Sequence, residues 1–326
     1  MPNTHSHSNV RSQPQASSSS KLSIEARNVP TQGFIRHIMP PAKKDSWNGA
    51  SYAKNLAHIA ALSGPVQALL TPRPTDTILD IGSGDGAITN LLSEKVPQGA
   101  VVGLDSSKSM VEHAIKTHTD AAKPTGNLRF IEHDCSNLQD PPSEDGGLGV
   151  IPWTEGWDWV FSNSTLHWIL NHSAARETCL PNIYRLLKPG GHLICEFGGA
   201  GHVAEAVTAF MALLAHYGIP KNRRREIMPW FFPTAHWMRS ALQDAGFKVE
   251  ECDLHFRPTK IESLRAWVET LGFVFLDAVE EVAPGKRGEA VEWVVNVLED
   301  AVERSKEEGG TVLGYMRLRV RAKKLE

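Results

Sequence analysis

The stretch from Thr77 to Leu92, TILDIGSGDGAITNLL, decides the fold. Ile78, Leu79 and Ile81 form a short run rich in β-branched side chains and predict a buried strand, whereas Ile88, Leu91 and Leu92 recur at helical spacing. Between them Gly82, Gly84 and Gly86 occupy alternate positions after Asp80. Glycine serves where the backbone takes positive φ or must approach a ligand with no Cβ in the way. The stretch therefore predicts a strand, a tight turn and a helix wrapped around a small ligand.

Charge narrows the ligand. The letters satisfy GxGxxG/A through Gly82, Gly84 and Ala87, a pattern common to several nucleotide cofactors. A dinucleotide sets its pyrophosphate on the helix N-terminus, yet this turn carries Asp80 and Asp85 and has no Lys or Arg before Lys95. Two carboxylates disfavour a diphosphate and suit a ligand with an ammonium and a sulfonium, which is S-adenosylmethionine. A glycine turn that only packs a strand on a helix is the structural alternative. A second apolar run, AVVGLDSSKSM, ends in Asp105, where a ribose-binding carboxylate is expected. A third, LRFIEHDC, brings Asp134 and Cys135 to a strand end. An acid there either accepts from the adenine amine or caps the next element.

From Thr77 onward strands and helices alternate, which predicts an α/β fold with a parallel sheet covered on both faces. Strands are expected at about 77–81, 100–104, 128–132, 157–162, 191–197 and 246–257, with a last one in TVLGYMRLRVRAKK. Gly190 and Gly191 are expected to break the helix ahead of the fifth strand, and a helical pair is expected at about 260–280 and 286–307. In open sheets ligands bind beyond the carboxyl ends of the strands, where all the acids named above fall. The fourth strand, in GWDWVFSNSTLHWIL, runs out at Asn163 before a helix that carries His167 and Trp168.

In this order, DIGSGDG, GLDSSKSM, HDC, WDWVFSNSTLHWI and LLKPGGHLICEFGG resemble the motif set of class I S-adenosylmethionine-dependent methyltransferases. The resemblance covers about Trp47 to Gly199 and continues more loosely beyond. LHW, EFGG and the later FPT and AGF are similar to small-molecule enzymes of the trans-aconitate and juvenile hormone acid methyltransferase kind. It implies a Rossmann-like, seven-stranded, mostly parallel sheet with an antiparallel last strand, helices on both faces and a helical cap at about 201–243 and 260–308. It assigns Asp80, Gly82, Ser83, Gly84, Gly86, Asp105, Ser106, Met110, Asp134, Cys135, Asn163 and Tyr52 to the cofactor. Trp47 and Asn55 join Tyr52 as wall residues on a helix over the methionine end, with packing on the sheet as the plain alternative for each. His167 and Trp168 become the catalytic pair, the imidazole as base and the indole as an aromatic wall attractive to a sulfonium. Both also suit ordinary packing.

Methyl transfer from a sulfonium asks mainly for alignment, and a carboxylate acceptor needs no base. Arg223, Arg224 and Arg225 are candidate partners for such an acid, although a charge run is usually a solvated face. Met228, Trp230, Phe231, Phe232, His236 and Trp237 form a dense aromatic stretch suited to a lid over an apolar molecule or to core packing. The reading is methyl transfer to a small organic molecule, an oxygen of a carboxylate or hydroxyl first. Alternatives are N-methylation of a small molecule or protein, a non-catalytic cofactor-binding regulator, and a nicotinamide-dependent oxidoreductase.

With 326 residues, 41% of them hydrophobic, the chain can bury a large core without staples. Its net charge of -3 gives no basic footprint for nucleic acid, and no apolar run is long enough to cross a bilayer. Cys135, Cys179, Cys195 and Cys252 lie far apart and form no metal-ligand spacing, so no metal is expected and reduced thiols in a cytoplasmic protein are. Residues 1–41 are rich in Ser, Pro and Gln and are expected to be a disordered tail, with organellar import as a weaker reading of its basic residues, ahead of a methyltransferase domain over 42–326. The oligomeric state is not legible in the sequence.

Overall fold

The computed structural model describes residues 47, 49, 52, 62–119, 126–142, 151–302 and 311–326. The chain divides into two units, 1–43 and 44–326, and every described residue belongs to the second. The tail expected over 1–41, and Asn55, lie outside the described residues.

Seven strands form one sheet: β1 (Thr77–Ile81), β2 (Ala100–Asp105), β3 (Leu128–Glu132), β4 (Trp157–Asn163), β5 (Leu187–Gly198), β6 (Lys248–Ile261) and β7 (Thr311–Lys323). Their order is β3-β2-β1-β4-β5-β7-β6, parallel from β3 through β5, with β7 antiparallel to both β5 and β6. Because β1 lies between β2 and β4, the strand order reverses at β1. An open α/β sheet forms its ligand crevice at such a switch point. The turn after β1 and the exit of β4 at Asn163 both open there.

Eleven described helices complete the fold: α1 (Gly64–Gln67), α2 (Ala87–Lys95), α3 (Lys108–His118), α4 (Leu166–Ile169), α5 (Ser173–Leu186), α6 (Ala204–His216), α7 (Lys221–Ile227), α8 (Ala235–Asp244), α9 (Leu264–Leu271), α10 (Phe273–Val282) and α11 (Arg287–Ala301). They make three cores. One packs α5 and α8 on the sheet through Leu180, Ile183, Met238 and Leu242 against Leu79, Val160 and Leu193. A second lies around Ile78, Val101, Phe161 and Ile194 with Leu92 and Val111 of α2 and α3. The third joins α6, α9, α10 and α11 to one another through Phe210, Trp267, Phe275 and Val294, and reaches the sheet at Leu313 and Tyr315. Continuous burial along Ile78–Ile81 explains why β1 reads as an apolar run interrupted only by Asp80.

Two expectations need correction. Gly190 and Gly191 do not end a helix: α5 already stops at Leu186, and the glycines sit inside β5, where Gly190 takes φ 78°. There the backbone bulges away from β4 and bonds to Lys324 instead, by Gly190 N–H to the Lys324 carbonyl at 3.0 Å. The single helix expected at 260–280 is two, because β6 runs on to Ile261 and Gly272 separates α9 from α10. A Cβ at Gly272 would stand 2.4 Å from the ring of Phe210, so close packing of α6 against this corner requires glycine.

Candidate active site

The three glycines of the turn do different work. All have positive φ, 75° at Gly82, 57° at Gly84 and 80° at Gly86. A Cβ on Gly82 would fall 2.2 Å from Thr165, and one on Gly86 within 2.9 Å of Phe130, Ala114 and His118, so both permit close packing. Over Gly84 the nearest atom is Cε1 of Tyr52, 4.0 Å away. Gly84 thus opens a cradle that a ligand can approach. Beside it Asp105 ends β2, one carboxylate oxygen accepting from Gly84 N–H at 2.9 Å and the other from Ser107 N–H at 2.9 Å.

Asp80 is buried under this turn and accepts from the Thr89 hydroxyl at 2.6 Å. Burial lifts its carboxyl to about 7; the Thr89 hydrogen bond opposes the rise and the nearby Asp105 charge adds to it. Tyr52 covers the cradle, its hydroxyl pushed up by burial and then by the negative charges of Asp85 and Asp105. Ser83 has a buried hydroxyl with no hydrogen-bond partner among the described residues. Ser106 is exposed next to Asp105, and Met110 is buried in the first turn of α3, its N–H bonded to the capping Ser107 hydroxyl at 3.2 Å.

Asp134 is exposed and accepts from Ser136 N–H at 2.9 Å, the turn-capping geometry. Cys135 is in the core, and burial pushes its thiol up. Asn163 is buried at the end of β4, with its side-chain oxygen 3.5 Å from Arg317 Nη2.

His167 and Trp168 face a cavity bounded also by Leu62, Ser164, His202, Val203, Trp230, Phe232, Arg257, Trp267, Leu271, Tyr315 and Arg317. The empty space at this site, open solvent included, is about 560 Å³. Trp168 meets Trp47 edge-on at 5.3 Å and Trp230 at 5.5 Å, and stacks on Phe273 at 6.1 Å. The imidazole of His167 is buried, which drives its pKa well below the ordinary value, and the positive charge of Arg317 drives it lower still. Its Nδ1 has no partner among the described residues, nor has Nδ1 of His202 or Nε1 of Trp230. Of the three non-glycine residues with positive φ among the described residues, two, Ser164 (59°) and Val203 (40°), line this cavity. A β-branched residue in that region is strained, and such strain concentrates at functional sites.

Beneath the cavity Glu196 of β5 is fully buried against three arginines. Its Oε1 lies 3.2 Å from Arg257 Nη1 and 3.3 Å from Arg317 Nε, and its Oε2 accepts from Arg319 Nε at 2.8 Å. Burial pushes this carboxyl up, but Arg317, Arg319 and Arg257 outweigh it and hold it below its usual range. Arg317 also donates to the Ser164 hydroxyl at 2.7 Å, tying β7 to the exit of β4.

Arg223, Arg224 and Arg225 are not in this cavity. They ride on α7, where Arg223 and Arg225 are exposed, Arg223 pairing with Glu226 at 2.8 Å, and Arg224 is half-buried outside the cavity lining. The aromatic stretch divides between cores: Trp230 and Phe232 line the cavity, Phe231 and Trp237 pack on the sheet core, Met228 supports the helical core and His236 is exposed. Sequence reasoning missed Arg257, Arg317, Tyr315, His202 and Trp267. One signal was available for the arginines: Arg317, Arg319 and Arg321 alternate along an otherwise apolar β7, so they share one face.

A reversed α/β sheet with an acidic glycine turn at its switch point defines a Rossmann-like fold. Residues 73–222 match the family model for a methyltransferase domain. A demethylmenaquinone methyltransferase of Symbiobacterium thermophilum is 35% identical over 192 residues, 54% of this chain and 69% of that protein. An uncharacterised methyltransferase of Schizosaccharomyces pombe is 29% identical over 282 residues, 86% of this chain and 99% of the relative. A trans-aconitate 2-methyltransferase of Deinococcus radiodurans is 30% identical over 151 residues, and the match spans about half of it (49%). The solved structure of a protein assigned as a methyltransferase from Bacillus halodurans covers 82% of this chain and 100% of its own with a TM-score of 0.51 at 14% identity, a likeness of fold.

The chain belongs to the class I S-adenosylmethionine-dependent methyltransferases, with S-adenosylmethionine as cofactor. The open cradle over Gly84 and the partly exposed Asp105 carboxylate beside it fit that group. No helix among the described residues is long and apolar enough to cross a membrane, and the described residues hold no cluster fit to ligate a metal.

Proposed function

We propose that this enzyme methylates an oxygen of a small organic molecule, a carboxylate or a hydroxyl, held in the aromatic cavity beside the glycine turn. The observation that carries this is the cavity itself, walled by Trp168, Trp230, Phe232 and Trp267 with Ser164, His167, Arg257 and Arg317 set among them, the mix of apolar wall and polar groups of a small-molecule site. The cofactor supplies an electrophilic methyl and a neutral thioether leaving group. The chain contributes binding and alignment: Asp105 for the ribose hydroxyls, Asp80 for the ammonium, Gly84 for close approach, and Tyr52 and Trp168 as walls over the sulfonium side. Asp134, Ser106, Met110, Cys135 and Asn163 complete that cofactor wall in this reading. Residues 42–326 make up the catalytic domain, with 201–243 and 260–308 as its cap. The four cysteines are free and buried, which fits a reducing compartment such as the cytoplasm.

The test is incubation with a labelled methyl donor and a panel of small carboxylic acids, phenols, amines and a peptide mixture. Base-labile label on an acid, or stable label on a phenol, is the expected outcome. Label confined to amines or peptides would refute it. His167 separates the two oxygen acceptors. A carboxylate has no proton to lose, so His167→Ala is expected to leave turnover of an acid within about threefold of wild type, whereas a hydroxyl acceptor, which must pass its proton to the unprotonated imidazole, is expected to lose about 100-fold or more.

Asp80 gives a pH dependence. Its pKa is raised to about 7 in the fold, so its contribution to stability is full below the unfolded carboxylate range and is lost as pH rises through about 7. Binding an ammonium favours the ionised form. Affinity for S-adenosylhomocysteine, which keeps the ammonium, is expected to improve roughly tenfold between pH 6 and pH 8 and to become flat in Asp80→Asn, measured by calorimetry. A wild-type affinity independent of pH would remove Asp80 from this role.

A further inference from the structure

Among the described residues, the two arginines that line the cavity, Arg257 and Arg317, have one carboxylate between them, that of Glu196, and a third arginine, Arg319, draws on it too. Arg317 is only 4% exposed, so water does little to screen it. The remaining bonds of Arg257 go to a carbonyl: its Nη1 donates to Leu62 at 2.9 Å as well as to Glu196. Its Nε is buried and has no hydrogen-bond partner among the described residues. The segment around Leu62 adds no acid, since the sequence has no Asp or Glu from Ser46 to Thr75. Nε1 of Trp230, also buried in the cavity wall, is a second donor with no partner among the described residues.

Buried charges and buried donors are ordinarily paired, so an array of this kind is completed by what it binds. The guanidinium of Arg257, whose side chain is 23% exposed, is held by its Nη1 side, and its Nε is the donor with no partner among the described residues. A carboxylate matches the Nε edge of a guanidinium with two parallel hydrogen bonds. Apolar walls at Trp168 and Trp267 favour an acid with an aromatic or hydrocarbon body. We infer that the cavity recognises a carboxylate on the substrate through the Nε edge of Arg257, with Arg317 beside it supplying charge. This rests on the proposal that the cavity takes a small-molecule methyl acceptor, and it narrows the substrate to carboxylic acids.

The test is calorimetry on the full chain saturated with S-adenosylhomocysteine, using phenylacetate, phenylacetamide and phenylphosphonate as probes. Thermal shifts with acetate and propionate against chloride at matched ionic strength accompany it. Wild type is expected to bind phenylacetate at least about tenfold more tightly than the amide, the range of a charge-assisted hydrogen bond. Arg257→Met is expected to lose that preference and the acetate shift, and Arg257→Lys to recover part of it, with S-adenosylhomocysteine affinity unchanged in both. Equal binding of acid and amide, no stabilisation by any carboxylate, or a preference for the phosphonate would overturn the assignment. An acid preference present in wild type with methyl transfer only to amines would instead keep the carboxylate site and refute the O-methylation reading beneath it.

Discussion

Glu196→Ala is expected to lower the free energy of unfolding by about 3–5 kcal/mol at neutral pH, the cost of removing one partner from a buried ion pair. The reason is that the side chain is 1% exposed and is the carboxylate on which Arg257, Arg317 and Arg319 converge. Deleting it leaves guanidinium groups from β6 and β7 facing each other with no counter-charge, across the strands that close the sheet. Glu196→Gln keeps the shape and one acceptor and is expected to fall between wild type and Ala. Because the arginines hold this carboxyl below its usual range, the associated stability is present above the unfolded pKa and is lost as pH falls through the lower, folded value. Urea unfolding of the three proteins at neutral pH and at pH values below the ordinary glutamate range checks both statements. A loss under about 1 kcal/mol in Glu196→Ala would mean that water solvates the arginines after all.

Asp105→Ala is expected to weaken S-adenosylhomocysteine binding by about 1.5–3 kcal/mol, the contribution of hydrogen bonds to a charged group. The same carboxylate organises the turn, taking the Gly84 and Ser107 N–H groups at 2.9 Å each, so part of that loss comes from a looser glycine loop. Asp105→Asn separates the two. Its amide keeps one of the two acceptors for the backbone and offers the ribose a weaker partner, so most of the affinity loss is expected to persist while the melting temperature falls less than in Asp105→Ala. Calorimetry paired with thermal unfolding reads both. Unchanged affinity in Asp105→Ala would remove this residue from the cofactor site.

The parallel strands and the glycine turn were legible because each is a local pattern. β1 to β4 are short apolar runs ended by turn residues, and Gly82, Gly84 and Gly86 stand where the backbone takes positive φ. The expected break at Gly190 failed because a glycine pair signals an unusual backbone without saying whether a helix end or a bulge uses it. At Gly272 the signal was missed because the need for glycine comes from Phe210 on α6, sixty-two residues away in the chain.

The sequence by itself determined the class of cofactor, since backbone conformation and the charge of one contiguous turn select the ligand that can lie on it. Only the tertiary structure decided what surrounds the acceptor. The arginine triplet that looked suited to an acid went to a surface helix, while the arginines of the cavity came from β6 and β7. An antiparallel register that sets Arg257 opposite Tyr315 and Glu196 opposite Arg319 brings them to one carboxylate. Such a site is built across strand partners distant in the chain, and burial turns charges that would be screened in water into a pocket with a demand for an anion.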